Sequence, residues 1–192
     1  MEKMIYVCPV DWSWLKQRPQ FLAEELSRSY NLYILYPWKN NRKGLQKEDT
    51  AELNRHPYFS IPSLGGKIHG IQWINKHLHK LQFYIHFHAV QPEYIWFTHP
   101  DQLAMLPSHY TGIVIYDCMD DYAAIEMNSK RQSEIQNEEY SLVRRANVIF
   151  ASSQTILLRL LKEYQVNSNK VFLVRNGYNA KWKTVVQTQL NP

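Results

Sequence analysis

Short apolar runs alternate with stretches of helical periodicity along almost the whole chain. Ile5-Tyr6-Val7-Cys8 reads as a first strand. A helix follows over about residues 19–30, with Phe21, Leu22, Ala23 and Leu26 on its buried side. Asn31 breaks that helix, and Leu32-Tyr33-Ile34-Leu35-Tyr36 is a second strand closed by Pro37. Residues 39–54 turn polar and predict a mobile loop, and residues 58–61 form a weaker strand that stops at Pro62. Over residues 68–90 a long amphipathic helix is predicted, with Ile68, Ile71, Ile74, Leu78, Leu81 and Ile85 as its main apolar stripe.

The alternation continues to the end. Tyr94-Ile95-Trp96-Phe97 is a strand, with a short helix at residues 103–106 after it. Ile113-Val114-Ile115-Tyr116 is apolar throughout, as expected of a strand covered on both faces. Helices over residues 129–146 and 153–164 flank the strand Val148-Ile149-Phe150-Ala151, and Val171-Phe172-Leu173-Val174 closes the series. Strands separated by helices imply right-handed crossovers. The predicted fold class is therefore α/β: one doubly wound, mostly parallel, Rossmann-like sheet over residues 1–180, with no internal repeat.

Composition narrows the picture in three ways. Hydrophobic residues make up 45% of the 192, enough for a sizeable core. Aromatic residues reach 14%, many beside polar neighbours, which suits a surface that packs on sugars, lipids or bases. The net charge of +5 points weakly to an anionic partner. Cys8 and Cys118 are read as small buried residues in a reducing compartment. Met1-Glu2-Lys3 leads into only a short apolar run, so no secretory signal is expected, and no run of about 18 apolar residues suggests a membrane span. A cytoplasmic protein is the expectation.

In a doubly wound sheet, ligands bind outside the carboxyl ends of the strands. Those ends carry most of the distinctive polar residues here. The first gives Asp11, Trp12, Trp14 and Arg18; the Tyr94 strand gives Thr98-His99-Pro100-Asp101; the Ile113 strand gives Asp117-Cys118-Met119-Asp120-Asp121-Tyr122. Ser152-Ser153-Gln154 and Arg175-Asn176-Gly177 follow the last two. Arg18 stands just before Pro19, whose missing amide suits a helix start, and an arginine at such a helix mouth favours anions. Each feature has a plainer alternative. The tryptophans suit a core, Ser152 or Ser153 suits a helix cap, and Asn176-Gly177 suits a turn. His99 is read as base, sugar-hydroxyl donor or packed imidazole.

Several functions lose their fingerprints. None of the six glycines forms G-x-G-x-x-G, and neither a P-loop nor a G-x-S-x-G elbow occurs. Asp117, Asp120 and Asp121 lack a phosphate-cradling loop nearby, and His77 and His79 face different ways on a helix, so no metal is expected.

The ordered set Trp14-Leu15-Lys16-Gln17-Arg18-Pro19-Gln20-Phe21-Leu22-Ala23, Phe97-Thr98-His99-Pro100, Tyr116-Asp117-Cys118-Met119-Asp120-Asp121, Phe150-Ala151-Ser152-Ser153-Gln154 and Val174-Arg175-Asn176-Gly177 resembles the amino-terminal half of GT-B glycosyltransferases of the family 4 type. The likeness is strongest to enzymes of teichuronic acid and related surface-polysaccharide synthesis. It implies an acceptor-side domain, with a nucleotide sugar as substrate, a glycan or lipid-linked acceptor, no metal or other cofactor, and a retaining outcome. It also implies a partner: a carboxyl-terminal donor domain of the same protein, absent from this chain, with residues 181–192 starting the connection to it. Without that half the domain is expected to be inactive. By this resemblance Trp12, Trp14, Arg18, His99, Asp117 and Asp120 line the acceptor side, while Arg175 and Asn176 face the gap. The catalytic residues are not identified. Aspartates stand where the family often has a histidine or similar group after the Ile113 strand, which leaves that position's role open.

Residues 53–92 contain no Asp or Glu, but hold Arg55, Lys67, Lys76, Lys80 and six histidines. Trp73, Lys76, Lys80 and Tyr84 are candidates to face an anionic membrane, giving a peripheral attachment at its inner side; an ordinary cationic, solvated helix face reads equally well. The main competing function is a non-catalytic carbohydrate- or lipid-binding module. A nucleic-acid partner is not expected, because no recognised module accompanies the charge.

Overall fold

A computed structural model of the chain describes residues 1–38, 53–62 and 70–177. Seven strands form one sheet in the order β3-β2-β1-β4-β5-β6-β7, with all six pairings parallel. The strands are β1 (Lys3–Val7), β2 (Asn31–Pro37), β3 (Asn54–Tyr58), β4 (Tyr94–Phe97), β5 (Ile113–Cys118), β6 (Val148–Ala151) and β7 (Val171–Leu173). Five α-helices accompany them: α1 (Arg18–Leu26), α2 (Ile71–Val90), α3 (Tyr122–Ile125), α4 (Ser129–Arg145) and α5 (Gln154–Glu163). The predicted doubly wound α/β sheet is present. The chain order reverses between β1 and β4, which makes their carboxyl ends the switch point.

Side-chain alternation along the strands builds two cores. Ile5 and Val7 point to one face, where Ile95, Phe97, Val114, Tyr116 and Ile149 join Phe83 of α2, Leu142 of α4 and Leu160 of α5. Met4, Tyr6 and Cys8 point to the other, where Ile34, Trp96 and Ile115 meet Ala23 of α1. Helices thus cover both faces, and burial of this apolar surface, at about 25 cal/mol per Å², is the main stabilising term.

Four expectations need correction. The first helix starts at Arg18 and ends at Leu26, where the Ser27 hydroxyl donates to Glu24 O and the chain turns toward β2. β3 lies at Asn54–Tyr58, earlier than residues 58–61, because its register pairs Tyr33 with Asn54 and Pro37 with Tyr58. As an edge strand it tolerates Pro57. The predicted short helix at 103–106 is a 3-10 turn over Pro100–Met105, and α3 was not foreseen.

The fourth correction is the largest. α2 splits its expected core stripe: Ile71 is buried and Leu78 half-buried, but Ile74, Leu81 and Ile85 are exposed. Phe83, Val90 and several polar residues join Ile71 on the inward side. Gln82 and Asn75 explain this, because each uses its side-chain amide to clasp the chain leaving β3. Phe59 N donates to Gln82 Oε1 (2.8 Å) and Gln82 Nε2 to Phe59 O (2.9 Å). Ile61 N donates to Asn75 Oδ1 (2.7 Å) and Asn75 Nδ2 to Ile61 O (2.9 Å). The expected loop at residues 39–52, the helix start at Ile68, Lys67 and the connection at 181–192 lie outside the described residues.

Candidate functional site

The carboxyl ends of β1, β4, β5, β6 and β7 bring together loops that are far apart in sequence. Arg18 opens α1 after the β1 loop, with Pro19 beside it and Gln17 N donating to Gln20 Oε1 at 3.0 Å. Its guanidinium crosses the crest to β5, where Nε and Nη2 donate to the two carboxylate oxygens of Asp117 at 3.1 and 2.8 Å. Nη1 donates to Val174 O (2.8 Å) and Asn176 Oδ1 (3.1 Å), just past β7. One side chain therefore joins three strand ends. The pair is sheltered, at 11% exposure for Arg18 and 0% for Asp117. Burial lifts the Asp117 carboxyl above its usual range, and the Arg18 bonds and charge oppose that.

His99 follows β4 in extended conformation and caps the 3-10 turn. Its ring packs on Tyr122 at 4.3 Å, and Nδ1 lies 2.6 Å from Asp101 Oδ1. That contact turns Nδ1 toward Asp101 and leaves Nε2 without a hydrogen bond among the described residues. Burial raises the Asp101 carboxyl, but the bond to His99 and its charge outweigh this and leave it lowered. Below the ring, Thr98 Oγ1 donates to Val7 O (2.6 Å) and Tyr122 Oη to Thr98 O (3.0 Å), so β1, β4 and α3 are tied together at the switch point.

The other predicted residues are dispersed. Trp12 is buried among Met4, Tyr6 and Cys8, with Tyr36 at 6.4 Å and the Arg55 guanidinium 5.7 Å from its ring. Trp14 is half-buried, its amide donating to Asp11 O at 3.1 Å. Asp120 and Arg175 are exposed at the rim. On α2, Trp73 and Tyr84 are exposed, Lys80 is exposed, and Lys76 sits 3.7 Å from Glu138. Arg18, Asp117 and Asn176 thus form one cluster and His99 a second.

Two features, at Tyr6 and Glu139, escaped the sequence reading, and a third residue, Tyr122, was read only as part of the polar run after the Ile113 strand. Tyr6 is fully buried, its hydroxyl has no partner among the described residues, and burial, with Cys8 and Asp117 nearby, pushes the phenol up. Tyr122 positions His99. Glu139, at 1% exposure, accepts from Tyr116 Oη (2.8 Å), Tyr164 Oη (2.7 Å), and Arg159 Nη1 (2.7 Å) and Nη2 (2.9 Å). Glu139 did carry a signal: it occupies the apolar stripe of α4 between Ile135 and Leu142.

No group of three or more His, Cys, Asp or Glu is placed to hold a metal among the described residues. Asp117 is paired with Arg18, while Asp121 caps α3 through Ala124 N (3.1 Å) and lies 3.3 Å from Arg159 Nε. No described helix is long and apolar enough to cross a membrane. A cavity of about 390 Å³ lined by Met1, Tyr30, Leu32 and Leu53 lies at the opposite, amino-terminal edge of the sheet.

An all-parallel sheet of this order with polar loops at its switch point defines a Rossmann-like α/β protein, and the solved structures it resembles are GT-B fold proteins. Sucrose-phosphate synthase from Thermosynechococcus elongatus superimposes with a TM-score of 0.70 at 11% identity, over 100% of this chain and 53% of that one. UDP-N-acetylglucosamine 2-epimerase from Rickettsia bellii gives 0.60 at 8% identity, over 100% and 49%. The S. aureus MnaA–UDP co-structure gives 0.59 at 13% identity, over 92% and 44%. This chain spans about half the length of these structures. No family model and no curated protein matches the sequence.

Proposed function

We propose that this chain is the acceptor-side half of a nucleotide-sugar-dependent glycosyltransferase of the family 4 type. Its acceptor is a glycan or lipid-linked intermediate of surface-polysaccharide synthesis, of which teichuronic acid is the model case. It works in the cytoplasm at the inner face of the membrane. The donor, the nucleotide sugar, is held mainly by a second domain that follows residues 181–192, and the anomeric configuration is retained as the sugar passes from the nucleoside diphosphate to the acceptor.

The observation that carries the reading is the charge state of the crest. Arg18 is committed to Asp117, Val174 and Asn176, and Lys16 pairs with Glu24. A diphosphate leaving group needs cations or helix amides to neutralise it. With Arg18 and Lys16 already paired, this edge suits hydroxyl recognition better than diphosphate binding. His99 Nε2 and Asp120 would contact sugar hydroxyls, with Trp14 beside them, while Trp12 and the Arg18–Asp117 pair would shape the wall. Arg175 and Asn176 would face the gap. No metal has a role in this scheme, and the isolated half transfers no sugar.

The test is a transfer assay on the protein encoded by the complete gene, with a panel of nucleotide sugars and membrane-extracted acceptors. Release of nucleoside diphosphate with label entering the lipid or glycan fraction is expected. Failure to consume any donor would leave the carbohydrate- or lipid-binding module as the better description.

A further inference from the structure

The outward face of α2 is built the wrong way round for a helix that meets only water. Trp73 (66% exposed), Leu81 (59%) and Ile85 (61%) lie there with Ile74 and Tyr84, spaced so that they fall on one side of the helix. The polar residues Asn75 and Gln82 are turned inward, clasping residues 59–61. That clasp lays Phe59 and Ile61, both exposed, along the flank of the same face. Trp38 adds to it, its ring 5.6 Å from Phe59. Isolated exposed apolar residues are ordinary, whereas this many gathered on one helix face and its flank call for a partner.

The partner's chemistry follows from charge. No acid occurs in residues 53–92; Lys76 and Lys80 edge the face, and His77 and His88 lie within it, against Trp73 (4.0 Å) and Tyr84 (4.3 Å). The carboxylate that approaches it, Glu138 of α4, already lies 3.7 Å from Lys76 and 3.4 Å from Arg131. A second copy would bring like charges together. An anionic surface would match them, and aliphatic side chains flanked by Trp, Tyr and Lys suit the headgroup boundary of a bilayer. We infer that α2 and the strapped segment 59–61 form a docking face for an anionic membrane, with Leu81 and Ile85 entering the acyl boundary and Lys80 at the headgroups. This rests on the reading above only for its purpose, which is to bring the crest to a lipid-linked acceptor.

The experiment is cosedimentation of the 192-residue chain with vesicles of phosphatidylcholine alone or mixed with phosphatidylglycerol, at two salt concentrations. The chain should bind the anionic vesicles and bind them less at high salt. Leu81→Gln with Ile85→Gln should weaken binding at least about tenfold. Lys80→Glu should weaken binding to anionic vesicles and reduce its salt dependence. All three positions are exposed, and a thermal melt checks that the variants remain folded. Equal binding to both vesicle types, no binding, or indifference to these changes would overturn the inference. So would light scattering that shows a dimer dissolved by the Leu81/Ile85 variant, since the face would then belong to a second copy. No nucleotide sugar enters this experiment, so its failure is distinct from failure of the transfer assay.

Discussion

Replacing Arg18 with alanine is the sharpest test of the crest. The change leaves the Asp117 carboxylate, at 0% exposure, without the two charge-assisted bonds that hold it. It also frees Val174 O and Asn176. Removing one partner of a buried ion pair costs about 3–5 kcal/mol, against roughly 5–15 kcal/mol for a whole domain. In a chain of this size that lowers Tm by roughly 6–20 °C. The loss should narrow as pH falls. Burial already raises the Asp117 carboxyl, and without Arg18 it rises further, so acid protonates it and removes the buried charge from the variant. Urea titrations of wild type, Arg18→Ala, Asp117→Asn and the double variant give the coupling between the two residues. A loss below about 1 kcal/mol with additive single changes would show a pair worth no more than a surface bridge, and the argument for a committed Arg18 would fail.

Other outcomes follow from the same geometry. Glu139→Gln should cost about 3 kcal/mol by leaving Arg159 without its carboxylate. Burial raises Glu139, but the Arg159 bonds and charge and the two tyrosine hydroxyls prevail and lower it. Its stabilisation is therefore complete above the ordinary value of 4.5 and fades as pH falls from there, so wild type and variant should converge in acid urea titrations. Gly112→Ala should destabilise by about 1–3 kcal/mol in thermal melts, because a Cβ there would collide with the Tyr110 ring and come within 2.8 Å of Glu93 O. His79 is lowered by burial, which outweighs the opposing Asp101 charge, and its Nε2 lies 2.7 Å from Ser60 Oγ, between the two clasped residues. Amide exchange at Phe59 and Ile61 should accordingly quicken below the ordinary imidazole value of 6.5, and His79→Gln should blunt that response.

Strand identity was legible because continuous apolar runs such as Ile113-Val114-Ile115-Tyr116 have one stable use, a strand covered on both faces. Edges and orientations were not. The α2 sequence carries apolar groups on opposite sides, and periodicity alone does not say which side is buried. What decides it is a set of amide bonds to residues 59–61, whose partners lie 14 to 23 positions away. β3 was misplaced for a related reason. An edge strand needs little apolar content, and its position is set by pairing to β2. At the crest, the right strand ends were visible, but the pairing was not. Arg18 and Asp117 stand 99 residues apart, and only the sheet order brings them together.

That pairing changes which groups can do chemistry. An arginine at a helix mouth reads as an anion site when its neighbours are unknown, yet here its Nε, Nη1 and Nη2 all have protein acceptors. An anionic ligand would have to displace Asn176 and Val174 O before it reached Nη1, and those two acceptors belong to the segment leaving β7. Ligand contact with Arg18 and the path of that segment are thus mutually dependent. His99 is under no such constraint, because Asp101 occupies Nδ1 and Tyr122 supports the ring while Nε2 makes no hydrogen bond among the described residues. A sugar hydroxyl would meet an uncommitted ring nitrogen at His99, whereas a phosphate would meet an arginine already neutralised. The crest is better suited to the first than to the second.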